Sequence, residues 1–325
     1  MIKIKICDVA PKGACSYYRG WGVLSKLRKI RPDIDVEFID SMNWNYLSDC
    51  DILYFLRPVG DNYIESLDMA KDFGIKVWSD FDDLFPELPE DNPGYAYFSQ
   101  KRILDNVEYS IKNSDIVTVS TETIKNYYKH INPDIIVIEN AFNDYNYKLI
   151  KKDITSKRIS WRGSSTHRRD LLSCKDGMEY ASINNPDWDW IFIGSDVWFI
   201  SEDIINSAVI NSELELIKYN KLLSEITPAI HIVPLINSVF NSAKSNISWI
   251  EGTYAGACCI APNLPEFNKP GCVNYKDNFQ YLLEKAIKSK SFRQENYLQS
   301  LDYIQENLLL SKINQKRIQI IEENI

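Results

Sequence analysis

A repeated beat most constrains what this chain can fold into. Short runs dense in Ile, Val, Phe and Trp alternate with longer stretches whose apolar residues recur every three or four positions. In the first half IKIKICDV, IDVEFID, CDILYFLRP, IKVWSDF, DIVTVS and IIVIEN read as strands. Between them YYRGWGVLSKLRKI, residues 64–72, KRILDNVEYSIKNS and TETIKNYYKHI read as helices. A run such as CDILYFLRP is apolar on both faces, which suits a strand in a parallel sheet covered by helices on both sides.

The beat breaks once, over a stretch rich in Asn, Lys and Asp at residues 141–158, and then restarts. RISWRG, WDWIFIGS, LELIKY, AIHIVPL, ACCIAP and CVNYKD are the second set of expected strands, and one of the intervening helices is expected over 238–255. Residues 292–324 read as helical, with Leu298, Leu301, Ile304, Leu308 and Ile313 on one face packed against a domain. The expected organisation is α/β in two domains, residues 1–145 and 146–300, followed by a C-terminal helix at 301–325. A length of 325 residues agrees, because one core rarely organises that many.

Composition narrows the function. The seven cysteines form no CxxC pair and the chain has three histidines, so buried reduced thiols are expected rather than disulfides or a zinc site. A net charge of −8 argues against a broad electrostatic grip on nucleic acid. No apolar run reaches the length of a membrane span, and the N-terminus alternates like a strand instead of carrying a signal peptide's apolar core, so a cytoplasmic protein is expected. GxGxxG and the P-loop pattern are both missing, which weakens a nucleotide-dependent epimerase or reductase.

In parallel sheets ligands bind beyond the carboxyl ends of strands, so the turns there carry the information. ISWRGSSTH runs a strand into Arg162, Gly163, Ser164, Ser165 and His167, a turn whose N–H groups and cation could face an anion. Thr166 is placed to cap the helix that follows. Within PLINSVFNSAKSNISWIEGTYAGACCIAP, a single helix would put Lys244 and Glu251 on one face, with Asn241 and Ser245 near its start. SDFDDLF carries Asp82 and Asp83, and APKGACSYYRGWG offers Gly13, Ser16, Tyr18 and Arg19.

Three of these stretches together resemble the nucleotide-sugar glycosyltransferases of the GT-B fold, in the broad group 1 or family 4 type. FNSAKSNISWIEGTYAGACCIAP resembles the donor-binding segment, ISWRGSSTHRRDL the turn that approaches the donor diphosphate, and VWSDFDDLFPELP the aspartate-rich loop of the first domain. The resemblance implies two facing Rossmann-like domains with the C-terminal helix packed on them, and a sugar moved from a nucleotide-sugar to an acceptor hydroxyl with retention. Arg162 and Lys244 would serve the leaving diphosphate, with Asp82 or Asp83 as base if configuration were inverted. Donor contacts would come from Gly163, Ser164, Ser165, His167, Gly194, Ser195, Tyr219, Asn241, Ser245 and Glu251. Gly13, Ser16, Tyr18 and Arg19 would lie on the acceptor side. No cofactor or metal is implied beyond the nucleotide-sugar co-substrate.

One departure stands out. Many members carry two glutamates separated by seven residues, and the position eight before Glu251 is Ala243. Asn241, Lys244 and Ser245 would then do the work over the sugar. The expected acceptor is a glycan or, as a less common outcome, a hydroxylated base in DNA, in a bacterial or virus-infected cell. The competing class is a non-catalytic two-domain ligand-binding protein derived from a glycosyltransferase, which the substitution at Ala243 keeps open.

Overall fold

The computed structural model describes residues 1–8, 13–39, 47, 49–194, 197–210 and 216–325. They form two compact units. The first comprises Met1–Tyr147, Ala243–Ser245 and Leu308–Ile325, and the second Lys148–Ser242 and Asn246–Asn307.

The first unit holds strands β1 (Ile2–Cys7), β2 (Ile34–Ile39), β3 (Ile52–Leu56), β4 (Lys76–Phe81), β5 (Ile116–Val119) and β6 (Ile136–Val137). They pair in parallel in the order β2-β1-β3-β4-β5-β6. The second holds β7 (Arg158–Gly163), β8 (Asp189–Gly194), β9 (Ser207–Ile210), β10 (Ile230–Ile232), β11 (Cys258–Pro262) and β12 (Val273–Tyr275), also parallel, in the order β12-β11-β10-β7-β8-β9. Numbered within its own unit, the second order is 6-5-4-1-2-3, the Rossmann arrangement. Both sheets therefore have a point where the strand order reverses, between β1 and β3 in one and between β7 and β10 in the other.

The strand pattern predicts the burial well. All five residues of β3 and of β11 are buried, as expected of strands covered on both faces. In the second unit Ile159, Trp161, Trp190, Phe192, Ile230 and Ile260 share one core. Each such side chain contributes about 1.5–3 kcal/mol by leaving water.

Three expectations are corrected. LELIKY is not a strand over its described part, since Leu216–Ile226 is a helix and the edge strand is β9. The helix expected over 238–255 is two, Val239–Ser242 and Ile247–Ala255, and of the residues between them Ala243–Ser245 belong to the first unit. The C-terminal helix is also divided, into Lys290–Asn307 and Leu310–Asn324.

At that last break the chain bonds to a segment far earlier in the sequence. Phe142 N donates to the Leu308 carbonyl and Leu310 N to the Phe142 carbonyl, both at 2.8 Å, while Asp144 accepts from Ser311 N at 3.0 Å and Ser311 Oγ at 2.6 Å. The final helix then buries Leu310, Ile313 and Ile321 in the core that contains Ile4, Ile52 and Trp78. The core of the first unit thus includes a helix more than 160 residues beyond its last strand. Among the described residues no helix is long and apolar enough to cross a membrane, and no group of three or more His, Cys, Asp or Glu could hold a metal.

Candidate active site

The reversal point of the second sheet lies at the end of β7, where Arg162 and Gly163 stand. Gly163 pairs with Gly194 across the ends of β7 and β8. A Cβ on Gly194, whose φ is +152°, would fall 1.8 Å from the Gly163 carbonyl oxygen. One on Gly163 would fall 2.4 Å from the Trp161 ring and 3.3 Å from Cδ2 of His167. The two glycines are required sterically, and they leave backbone at the strand ends.

Arg162 Nε lies 2.5 Å from Glu251 Oε2, and Tyr219 donates its hydroxyl to the same oxygen at 2.9 Å. Glu251 is buried, with its side chain 6% exposed, while Arg162 retains 23%. Burial, reinforced by the neighbouring Glu251 charge, raises Tyr219 well above the ordinary phenol range, so it remains a donor. Tyr219 reaches this position from the helix Leu216–Ile226.

Beneath the glutamate's helix sits His231, 1% exposed. Its Nδ1 is 2.8 Å from Ser160 Oγ and its Nε2 3.1 Å from Ser248 Oγ. Burial, with Arg162 adding to it, pushes this imidazole down to about 3, so it is neutral. Gly252 allows the approach, because a Cβ there would be 2.7 Å from the His231 ring.

The turn after β7 is held separately. His167 Nδ1 is 3.0 Å from Asp170 Oδ2, and Asp170 Oδ1 accepts from Ile236 N at 2.9 Å and Asn241 Nδ2 at 2.8 Å. Asn241 also donates to the Ile236 carbonyl at 2.9 Å. At 5% exposure it braces this turn from inside, a correction to its expected place over a sugar. Thr166 does not cap a helix. Its hydroxyl meets Ser164 Oγ at 2.7 Å, and neither the short 3₁₀ turn Ser165–His167 nor the helix Arg168–Leu172 has a side-chain cap. Ser195 lies outside the described residues.

The first unit has a different constellation at its reversal point. Arg57 directly follows β3 with φ +54°, a left-handed conformation that costs a non-glycine residue about 1–2 kcal/mol. Its Nε pairs with Asp82 and its Nη2 with Asp83 Oδ2 at 2.7 Å, while Lys244 Nζ reaches Asp83 Oδ1 at 3.0 Å. Burial opposes the Arg57 charge, but Asp82 and Asp83 more than offset it and hold the guanidinium well above its ordinary range. Asp82 and Asp83, the expected base if configuration were inverted, are thus ion-paired groups in this structure. Lys244 is grouped with them, not with Glu251. Ser245 likewise serves the first unit, accepting from Asn140 Nδ2 at 2.8 Å.

Arg19 is a clear correction to the acceptor-side set. It is wholly buried, with Nε 2.9 Å from Asp80 Oδ1 and Nη2 2.7 Å from Asp80 Oδ2, and Nη1 donates to the Ile138 carbonyl. Burial opposes its charge, and Asp80 outweighs that burial. Ser16 is also buried, at 1%. Tyr18 packs edge-on against Tyr17 with centroids 4.9 Å apart, and Gly13 accepts from Tyr17 N at 3.2 Å at the start of the helix Ala14–Tyr18.

Sequence reasoning did not single out Arg57 or Asp170, and it noted Asp80 only as part of SDFDDLF. Arg57 had one available signal, its place at the end of a buried strand, whereas Asp80 meets Arg19 and two of the three donors to Asp170 lie more than sixty residues later.

Two parallel sheets of this order, each with a charged constellation at its reversal point, define two Rossmann-like units of the GT-B class. Solved structures agree. The chain is similar to HepE of Anabaena, solved in complex with UDP-glucose, with a TM-score of 0.68 at 10% identity, covering 99% of this chain and 100% of that one. It is also similar to a glycosyltransferase from Rickettsia africae, at 0.65 and 14% identity over 99% and 98% of the two chains. TarM of S. aureus matches at 0.61 and 15% identity over 82% of this chain and 54% of its own. The likeness is one of fold. No protein-family model and no curated protein matches the sequence.

Proposed function

We propose that the protein is a glycosyltransferase that binds a nucleotide-sugar at the reversal point of the second sheet and moves the sugar, with retention, to a hydroxyl of a glycan. The observation that carries this reading is the Arg162–Glu251–Tyr219 cluster at the end of β7. A buried carboxylate held, among the described residues, by a cation and a hydroxyl is placed to exchange those partners for a ligand's. The ribose would offer two hydroxyls to Glu251, and Arg162 would turn to the diphosphate, where negative charge develops as the sugar leaves. The glycines at 163 and 194 let backbone N–H groups come close to the same charge. The fold supports the assignment, since HepE was solved with UDP-glucose.

In the transfer, the bond from the anomeric carbon to the phosphate oxygen breaks and a bond from that carbon to the acceptor oxygen forms. The acceptor proton passes to the departing phosphate, whose charge Arg162 helps to offset. The test is thermal denaturation with UDP, GDP, ADP, CMP and dTDP and their sugars. A ligand present at a hundred times its dissociation constant adds about 2.7 kcal/mol if it binds only the folded state. Stabilisation by one nucleotide that Glu251→Ala abolishes is the expected result. Stabilisation without transfer to any acceptor would favour a non-catalytic binding protein, and no stabilisation at all would overturn the donor site.

A further inference from the structure

We infer that Asp170 is the positioning residue of the donor site: it fixes the ring of His167 so that Nε2 is the nitrogen offered to the nucleotide, and it ties together the turns that follow β7 and β10. The inference rests on the donor reading given above.

The hydrogen-bond inventory of Asp170 leaves one arrangement. An ionised carboxylate only accepts, so the group 3.0 Å from Oδ2, Nδ1 of His167, must carry the proton. The other oxygen is occupied by Ile236 N at 2.9 Å and Asn241 Nδ2 at 2.8 Å. With the side chain 11% exposed the carboxylate is well shielded, so these three donors are its structural environment. Two of them come from the chain just beyond β10 and one from the chain just beyond β7, the two strands that flank the reversal point. The imidazole keeps 25% of its side-chain surface, and its Cδ2 edge, which adjoins Nε2, faces Gly163, where a Cβ would be 3.3 Å away. The nitrogen not used by Asp170 therefore lies on the edge beside the glycine backbone. Asp170 acts through His167 and makes no contact of its own with the nucleotide.

The experiment is nitrogen-15 NMR of the histidine rings at mildly alkaline pH, on a chain with only three histidines, with His167→Gln assigning the signals. In the wild type His167 is expected as the Nδ1–H tautomer. In Asp170→Asn the amide oxygen still serves Ile236 and Asn241, but the amide nitrogen faces His167, so the proton should move to Nε2. Saturating UDP, or GDP or ADP if one of them is the nucleotide bound, should shift the Nε2 signal of the wild type, and Asp170→Asn should bind it about tenfold more weakly by calorimetry.

An Nε2–H tautomer in the wild type would overturn the inference without any variant being made. A nucleotide that binds by calorimetry and leaves His167 unmoved would overturn it too, with the donor reading intact. Absence of binding by these three and by CMP and dTDP as well would overturn the donor reading and, with it, the ligand-facing role of Nε2.

Discussion

The two reversal points solve the problem of charge at the end of a parallel sheet in opposite ways. In the second unit the buried carboxylate of Glu251 meets a guanidinium and a phenol above a neutral His231. In the first, Arg57 and Lys244 meet Asp82 and Asp83 in a balanced cluster, and a second guanidinium, Arg19, is closed off with Asp80. The first arrangement is easily re-paired, because hydroxyls and a diphosphate can replace what Glu251 and Arg162 now hold. The second is internally matched, and its Arg19–Asp80 part is too deep to meet any ligand. The difference teaches that ion pairs alone do not mark a binding site. What matters is whether a ligand can supply the partner that is lost.

The largest expected effect breaks the closed pair. Asp80→Asn leaves Arg19 charged and without its counter-ion in the interior, at a cost of about 3–5 kcal/mol in urea unfolding. The loss should be aggravated by Arg317, 2% exposed, which burial and then Arg19 already push down to about 10. A cost below about 1 kcal/mol would mean that the pair is not sealed as described.

Acid should next separate the second unit from the first. The folded-state value of His231 is depressed to about 3 from an ordinary value near 6.5, so its contribution is fully present above about pH 6.5 and is lost as pH falls toward 3. The slope is about 1.4 kcal/mol per pH unit, or about 3 kcal/mol by pH 4. His231→Asn should remove that part of the pH dependence, and an unchanged slope would show that His231 is not the group responsible.

The smallest effect sharpens the contrast at the end of β3. Both Arg57→Gly and Arg57→Ala remove the bonds to Asp82 and Asp83, but only glycine relieves the left-handed backbone. Glycine should therefore be the more stable of the two by about 1 kcal/mol. Equal stabilities would argue against strain at this position.

Much of this was legible beforehand, and the residues show why. Strands such as CDILYFLRP and ACCIAP declare themselves because full burial demands an unbroken apolar run. Arg162, Gly163 and Glu251 were readable because each sits at a strand end or on a helix within one continuous motif. Asp170 was not, since two of its three donors, Ile236 and Asn241, lie more than sixty residues later. Lys244 was misplaced for a related reason. Seven residues on one helix would share a face with Glu251, but the helix is interrupted between Ser242 and Ile247.

The sequence by itself determined two parallel α/β units, because the spacing of apolar residues is a local property that any covered sheet must satisfy. Only the tertiary structure decided which charges meet. Arg57 with Asp82 and Asp83, Arg162 with Glu251, Asp170 with Ile236 and Asn241, and the return of residues 308–325 to the first unit all depend on long-range pairing. A charge is placed by the partner that offsets its desolvation, and the partner's position along the chain carries no local signal.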